Sequence, residues 1–129
     1  MIRSELGYDT DEKKLKMRIA QMLKSENYMI FVAADGLQVI GFAGLQICLA
    51  FEIEEAIMRI IAFAVGRDFQ RRGVGSKLMR QIESYAEAHH ISTIFVNSGM
   101  KRRQAHRFYE AQAFYKKGYA FCKRLTMVQ

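Results

Sequence analysis

The chain has 129 residues, of which 50% are hydrophobic and 26% are charged, and its formal net charge is +7. This length and composition correspond to one ordinary globular domain, which we predict over residues 1–129. No apolar run reaches the ~18 residues that a membrane span requires. The N-terminus does not match a signal peptide, so we expect a cytoplasmic protein that makes no membrane contact.

Positive charge is concentrated in two short stretches, residues 67–77 and 101–107. Such clusters suit a polyphosphate ligand, a nucleic acid or an anionic membrane surface. Judged by charge alone, the two clusters are best interpreted as a solvated surface rather than a binding site. A nucleic-acid binder would also need aromatic side chains near the charges, and only Phe69 and Tyr109 lie close by in the sequence. We therefore rank nucleic acid below a phosphate-bearing small molecule as a partner.

Neither the two cysteines nor the three histidines indicate a metal site. Cys48 and Cys122 lie far apart in apolar runs, and neither has a His or Cys at metal-ligand spacing. We expect both to be buried free thiols in a reducing compartment. The histidines at positions 89, 90 and 106 also lack ligand spacing, so we predict no metal.

The first part of the chain predicts a helix followed by a strand hairpin. Apolar residues recur at helical spacing over residues 10–24, with Asp9 or Thr10 as a cap. Residues 28–34 form a short apolar strand, and Asp35-Gly36 favours a tight turn. The partner strand returns over residues 38–49. An acidic loop follows, marked by Glu52, Glu54 and Glu55.

The second part predicts helices that alternate with strands. Residues 57–65 are nearly all apolar, which is typical of a central strand. After a glycine-bearing turn, apolar residues at helical spacing predict a helix that ends near residues 89–90. Residues 91–97 predict a strand, 103–112 a short helix and 119–125 a strand that closes the sheet. The order predicts an α/β (α+β) fold with helices packed on a mixed sheet.

The turn Gln70-Arg71-Arg72-Gly73-Val74-Gly75 has the features of an anion site. The first N–H groups of a helix lack intrahelical partners, and the helix dipole adds positive charge there. The two glycines let the backbone approach a phosphate. A plain strand-to-helix turn fits the spacing as well. The common dinucleotide loop fails because Leu78 replaces a small residue, and a P-loop fails at Arg71 and Ser76.

Two motifs together resemble a known family. The segment IIAFAVGRDFQRRGVG, residues 60–75, resembles the signature of the GNAT superfamily of acyl-CoA-dependent N-acyltransferases. The segment RQAHRFYE, residues 103–110, followed by Phe114, is similar to that family's second motif. The resemblance spans about residues 7–125 and implies a mixed, mostly antiparallel sheet flanked by helices. It implies an N-acetyltransferase in which a primary amine attacks acetyl-CoA directly in a ternary complex; the alternative is a catalytically silent acyl-CoA-binding or regulatory module.

The resemblance also assigns residues to the cofactor. In the family, backbone amides of the turn hold the diphosphate of coenzyme A, and the pantetheine arm pairs with the edge of the preceding strand. A backbone amide near Ala64 or Val65 would polarise the thioester carbonyl. The positions that match the diphosphate turn are Gln70, Arg71, Arg72, Gly73, Val74, Gly75 and Ser76. Those that match the pantetheine strand are Phe63, Ala64 and Val65.

Tyr109 matches the tyrosine that commonly protonates the departing thiolate in this family. A tyrosine with a pKa near ~10 is protonated at neutral pH and can donate that proton. Without the resemblance, Tyr109 would be interpreted as a core aromatic beside Phe108. Two further cofactor contacts are implied: Asn97, which equally suits a strand cap, and Arg102, which stands where the family often has asparagine.

The sequence departs from the family at the proton acceptor and at the front of the domain. Many members carry a carboxylate in the strand before the turn, where this chain has Ile61 and Phe63. The base is then a glutamate of the acidic loop or a relay of water molecules. The family's glycine before the final phenylalanine is Ala113 here, which alters a helix end at most. The family's first strand and helix are shortened or missing, so the strand over residues 28–34 would be an edge, and we predict a homodimer or an exchanged strand. The acceptor is a small-molecule or peptide amine.

Overall fold

The computed structural model describes residues 12–98 and 102–126. The chain divides into two compact units, Met1–Val96 and Asn97–Gln129. The first unit contains the β-sheet with two helices, and the second contains one helix and the segment after it. In chain order the elements are α1 (Glu12–Leu23), β1 (Tyr28–Asp35), β2 (Gln38–Ala50), β3 (Ile53–Val65), a 3-10 turn (Arg67–Phe69), α2 (Val74–Ala88), β4 (Ile94–Val96) and α3 (Arg103–Ala111).

The strands form one sheet in the order β1-β2-β3-β4. β2 pairs antiparallel with both β1 and β3, whereas β4 pairs parallel with β3. The helices α1 and α2 pack against strands of this sheet. The mixed, mostly antiparallel sheet flanked by helices confirms the fold class that the sequence predicts.

The hairpin between β1 and β2 is as tight as predicted. Asp35 pairs with Gln38, so Gly36 and Leu37 form the loop. Gly36 has φ 63°, in the left-handed region that favours glycine. The loop therefore lies one residue later than Asp35-Gly36.

The core lies between α2 and the sheet. The helix buries four side chains on one face, namely Leu78, Met79, Ile82 and Ala86. The fully buried side chains on the strands include Ala43, Leu45 and Met58. Burying one large apolar side chain contributes roughly 1.5–3 kcal/mol, so this face holds α2 firmly against the strands.

Gly41 fixes how closely the start of α2 approaches β2. A Cβ at this position would lie 3.1 Å from the carbonyl oxygen of Ala64 and 3.3 Å from both Val74 Cγ1 and Leu78 Cδ1. A Cβ here would be in tighter contact than is usual, so glycine lets the first turn of the helix pack closely on the strand. The helix N-terminus is thereby held beside the end of β3.

The acidic loop is shorter than predicted. Glu54 and Glu55 lie within β3, and only Phe51 and Glu52 form the turn between β2 and β3. The pairing of Ala50 with Ile53 extends the ladder to the turn. Both glutamates therefore lie inside the strand despite the low strand propensity of glutamate.

The last two predicted strands are the main errors of the sequence analysis. β4 covers only Ile94–Val96 rather than residues 91–97, because only these residues pair with β3. Residues 119–125 form no strand among the described residues, and the apolar side chains of Tyr119 and Phe121 are 82% and 94% exposed. Alternation alone does not make a strand, which requires a hydrogen-bonded neighbour. For the same reason Cys122 is exposed rather than buried, while Cys48 is half-buried; both are free thiols.

The N-terminal predictions are tested only in part. Helix α1 begins at Glu12 among the described residues, and the expected caps at residues 9 and 10 lie outside them. The prediction about the family's first strand and helix also concerns residues outside the described ranges. Within the described chain, β1 has a single partner strand, β2, as expected for an edge.

Candidate functional site

The strands β3 and β4 are neighbours over only three residue pairs. The last of these pairs joins Ile60 to Val96. Beyond it, β3 continues to Val65 while pairing with β2. In the described chain, the side of β3 away from β2 therefore has no strand neighbour over residues 61–65, which we call the open edge. An exposed strand edge can bind an extended ligand through its backbone groups.

A β-bulge at Ile61 determines which backbone groups point to the open edge. Leu45 pairs with Ile60 and Gly44 pairs with Ala62, so Ile61 is an extra residue. Before the bulge, the N–H of Met58 points toward β4, because it donates to the carbonyl of Thr93 at 3.1 Å. One inserted residue reverses this alternation for the rest of the strand.

After the bulge, the odd-numbered residues face the open edge. The N–H of Gly66 donates to the carbonyl of Ile40 in β2 at 2.7 Å. The carbonyl of Val65, on the other end of the same peptide group, therefore points away from β2. By strand alternation Phe63 shares this direction, whereas the backbone of Ala64 faces β2. Of the three residues predicted to meet the pantetheine arm, Phe63 and Val65 direct backbone groups toward the open edge.

Gln70 links the turn to the end of β3. Its side-chain Nε2 donates a 3.2 Å hydrogen bond to the carbonyl oxygen of Val65. A backbone bond from Phe69 to Gly66 at 2.9 Å closes the 3-10 turn between them. Sequence reasoning grouped Gln70 with the diphosphate turn and missed this bond, because nothing in the sequence indicates where the side chain points.

The turn leads directly into the N-terminus of α2. Gly73 is the N-cap with φ 80°, and Arg71 is also left-handed with φ 64°. The bond from the N–H of Lys77 to the carbonyl of Gly73, at 3.0 Å, is the first of the helix. The amides of Val74 and Gly75 precede it, at the positive end of the helix dipole. This end suits an anion such as a diphosphate.

Basic side chains surround this helix end. Arg71, Arg72 and Lys77 are all exposed. The guanidinium of Arg72 lies 5.7 Å from the ring centroid of Phe69, a cation–π contact that restricts the side chain. These side chains therefore supplement the positive charge of the backbone N–H groups at the N-terminus of α2.

Tyr109 lies in the second unit, on α3. Its ring packs edge-to-face with Phe108 and Phe114, at centroid distances of 5.5 and 5.7 Å. Burial raises the pKa of Tyr109 above its ordinary value, because it disfavours the phenolate, and the positive charge of Arg102 opposes part of that rise. The phenol is therefore held as a proton donor at neutral pH.

The end of α3 is a Schellman motif that fixes Tyr109 and Phe114 together. The N–H of Phe114 donates to the carbonyl of Tyr109 at 3.0 Å, and that of Ala113 donates to Glu110 at 3.1 Å. Ala113 occupies the left-handed position with φ 69°. This is the position at which the sequence analysis expected only an altered helix end.

Three residues at the start of the second unit carry polar groups. Asn97 directly follows β4, and both it and Arg102, which precedes α3, are exposed. Ser98 was not selected by the sequence analysis, because a loop serine has no distinguishing signal. In the part of the chain that the structure describes, its hydroxyl oxygen is buried and lacks a hydrogen-bond partner. Such an orphaned oxygen is a candidate ligand contact.

The glutamates considered as bases lie far from the open edge. Glu55 precedes Ile61 by six residues in the same strand, which corresponds to about 20 Å. Glu54 and Glu52 are farther along the chain in the same direction. Direct proton transfer requires hydrogen-bond distance or a single bridging water, so these three carboxylates are too remote from residues 61–65 to act directly.

Residues 12–98 and 102–126 contain neither a metal-ligand cluster nor a membrane-spanning helix. No group of three or more His, Cys, Asp or Glu side chains is placed to hold a metal ion. None of the helices there is long and apolar enough to cross a membrane.

Comparisons with known proteins agree with this fold. The family model described as the acetyltransferase (GNAT) family matches residues 2–114. No curated protein is a significant match to the sequence. The crystal structure of a GNAT family acetyltransferase from Staphylococcus aureus is similar, with a TM-score of 0.79 and 25% identity over 93% of this chain and 82% of that chain.

Two aminoglycoside acetyltransferases share the fold at lower identity. AAC(6')-Iy, in complex with the bisubstrate analogue CoA-S-monomethyl-acetylneamine, has a TM-score of 0.83 and 15% identity, over 98% of this chain and 88% of that one. The 6'-N-acetyltransferase AAC(6')-IG from Acinetobacter haemolyticus has a TM-score of 0.77 and 18% identity, over 92% and 86% of the two chains.

Proposed function

Because the chain belongs to the acetyltransferase (GNAT) family, we propose that it transfers the acetyl group of acetyl-CoA to a primary amine by direct attack in a ternary complex. The observation that carries this proposal is the open edge of β3 leading into the N-terminus of α2. The strand edge suits an extended, amide-bearing arm, and the helix N-terminus that follows it suits a diphosphate attached to that arm.

The proposal gives each predicted residue a role in binding acetyl-CoA. The amides from Arg71 to Ser76 hold the diphosphate, and the exposed basic side chains add charge. Phe63 and Val65 direct their backbone groups to the pantetheine arm, and Gln70 holds the end of β3 against the turn. Asn97 and Arg102 are further cofactor contacts by resemblance to the family.

The reaction proposed needs one proton donor and one proton acceptor. The amine nitrogen bonds to the carbonyl carbon of the thioester, the carbon–sulfur bond breaks, and the sulfur leaves as a thiolate. Tyr109 protonates that thiolate, and the phenolate regains its proton from water; the raised pKa keeps the phenol protonated at neutral pH until the thiolate forms. The amine gives up its proton through water, since the three glutamates lie too far from the open edge. A backbone N–H that faces the open edge stabilises the carbonyl oxygen.

One observation favours a second candidate, a silent acyl-CoA-binding or regulatory module. The strand before the turn presents Ile61 and Phe63, and the described residues offer no carboxylate there. This candidate shares the cofactor site but predicts no turnover with any amine. The homodimer and the cytoplasmic location also stay predictions.

Calorimetry and a thiol-release assay test the two candidates. Coenzyme A and acetyl-CoA are each titrated into the protein, and free thiol is then measured with acetyl-CoA and a panel of small amines and peptides. Ligand at 100 times its Kd would stabilise the fold by about 2.7 kcal/mol. Binding with amine-dependent thiol release supports the transferase, and binding without release supports the silent module. No binding to folded protein would contradict both.

A further inference from the structure

Arg59 is a half-buried cation on β3 beside the point where the strands part. It pairs with Phe95 across the parallel ladder, in the last but one pair between β3 and β4. Its guanidinium carbon lies 5.4 Å from the ring centroid of Phe95. The aromatic ring therefore fixes the position of the guanidinium without satisfying its N–H donors.

No anionic partner for Arg59 exists among residues 12–98 and 102–126. The ion pair formed there between charged side chains is on α1, and the side-chain hydrogen bonds involve other residues. An arginine guanidinium carries five donors in a fork that matches a carboxylate or phosphate. Partly buried charged groups are usually paired, so the guanidinium can bind an anion that the described residues do not supply.

Arg59 lies on the same face of the sheet as the bulge. A Cβ on Gly44 would lie 3.4 Å from Ala62 Cβ and 3.6 Å from Ile61 Cγ1, so these three residues share a face. Gln46 is two residues beyond Gly44 and pairs with Arg59. Strand alternation therefore places Arg59 on that face too. This is the face away from α2, because a Cβ on Gly41 would contact the helix instead.

The cofactor's diphosphate is not the anion. The diphosphate turn follows Val65, and six residues of extended strand, about 20 Å, separate Val65 from Arg59. If the pantetheine arm enters from the turn and runs back along the open edge, its thioester end faces Ile61. An amine must approach that end from beyond it, where Arg59 is two residues, about 7 Å, farther along.

We propose that Arg59 recognises the acceptor, and that the acceptor is an amine carrying an anionic oxygen group, a carboxylate or a phosphate. This inference rests on the proposed acetyltransferase function and narrows its substrate class. The net charge of +7 also favours an anionic acceptor, since it attracts anionic substrates and repels polycationic ones. The chain then differs in acceptor from the aminoglycoside acetyltransferases that share its fold.

The test uses matched pairs of amines with the full-length protein. L-alanine is compared with L-alaninamide, and phosphoethanolamine with ethanolamine, by kcat/KM in the thiol-release assay. Each ratio is measured in the wild type, in Arg59→Met and in Arg59→Lys. Met keeps the length and the contact with Phe95 but removes the charge, and Lys keeps the charge but removes the planar fork.

We expect Arg59→Met to lower the ratio of the preferred anionic amine to its neutral partner by about tenfold or more, since hydrogen bonds to charged groups are among the stronger ones. Arg59→Lys should restore part of that ratio. The pair whose ratio falls further identifies the anion as carboxylate or phosphate. If Arg59→Met does not fold, Arg59→Gln supplies the neutral comparison.

Equal ratios in the wild type and the neutral variant would overturn the inference, as would a wild type that prefers the neutral amines or neamine. These outcomes leave the proposed function standing, because an amine is still acetylated. Failure of the function itself looks different: coenzyme A gives no heat with folded wild-type protein, and the inference about Arg59 then falls with it.

Discussion

The side-chain amide of Gln70 donates a 3.2 Å hydrogen bond to the carbonyl oxygen of Val65. The bond joins the two halves of the proposed cofactor site, the open edge of β3 and the diphosphate turn. Its effect is to hold the turn in one position relative to the strand. Gln70 would then determine whether both ends of a long ligand fit at once.

We predict that Gln70→Ala weakens coenzyme A binding by about fivefold, because a neutral hydrogen bond contributes about 1 kcal/mol. Calorimetry measures the Kd. The matched control is Gln81→Ala, an exposed glutamine on α2, which should bind as the wild type does. The loss should be smaller for an acetyl thioester that lacks the nucleotide, since that ligand does not span both halves. Equal losses for the two ligands would contradict the role in alignment.

Replacing Ala113 with glycine should stabilise the protein. Ala113 has φ 69°, a conformation that costs an L-residue roughly 1–2 kcal/mol, and glycine adopts it freely. Allowing for the greater chain entropy of glycine, we expect about 1 kcal/mol of added stability in denaturant unfolding. Ala111→Gly at the end of the same helix is the control and should destabilise by roughly 0.5–1 kcal/mol. A destabilising effect of Ala113→Gly would show that the left-handed backbone is not strained.

Tyr109→Phe should lower kcat by roughly 10²-fold, the lower end of the range for general-acid catalysis, because a thiolate is already a good leaving group. Binding of coenzyme A should change little, since the phenol acts on the sulfur. Tyr115→Phe is the control, because that side chain is exposed and has no proposed role. Turnover equal to the wild type in Tyr109→Phe would remove the tyrosine from the mechanism.

The pKa of Tyr109 also gives a pH prediction. Because burial raises that pKa, the protonated phenol is favoured in the folded state. Its contribution to stability is complete below the ordinary tyrosine pKa of about 10 and is lost as the pH rises through the raised value. An ultraviolet titration of the wild type should show an ionisation above the ordinary tyrosine pKa that Tyr109→Phe lacks. Ionisation at or below the ordinary value would contradict the burial of the phenol.

Gly41→Ala should damage both stability and cofactor binding. The added Cβ would lie 3.1 Å from the carbonyl oxygen of Ala64 and 3.3 Å from side-chain methyl groups in the first turn of α2, so the strand or the helix start must shift by a few tenths of an ångström. Overpacking of this kind typically costs about 1–3 kcal/mol. Gly118→Ala is the control, since a Cβ there meets nothing within 4 Å. If the Kd for coenzyme A is unchanged in folded Gly41→Ala protein, the position of the helix start does not control the site.

The parts of the fold that the sequence predicts are those determined by local pattern. The C-terminal end of α2 lies within a residue of its predicted position, and the strand that precedes it ends at Val65 as predicted. The fold class follows from their order. The extension of β3 to Ile53 and the lack of a strand over residues 119–125 depend instead on which backbone groups find partners. Such pairing is not encoded in the alternation of one segment.

The site was predictable at the level of its motifs and not at the level of its geometry. The glycine-bearing turn identifies the helix end because its residues are adjacent in sequence. The bulge at Ile61 depends on the register between β2 and β3, which no single segment reveals. The bond from Gln70 and the contact of Arg59 with Phe95 depend on side-chain placement, and neither leaves a pattern in the sequence.

The extra residue at Ile61 also determines which kinds of mutation can change the hydrogen-bonding groups of the open edge. Phe63 and Val65 contribute N–H and carbonyl groups, which every residue except proline possesses, so exchanging their side chains leaves these donors and acceptors in place. Deleting one residue at the bulge would instead turn the odd-numbered peptide groups toward β2 and the even-numbered ones outward. A scan of point substitutions would therefore underestimate how much the backbone of this strand contributes to cofactor binding. A single-residue deletion at the bulge, or an amide-to-ester replacement at Val65, would reveal that contribution.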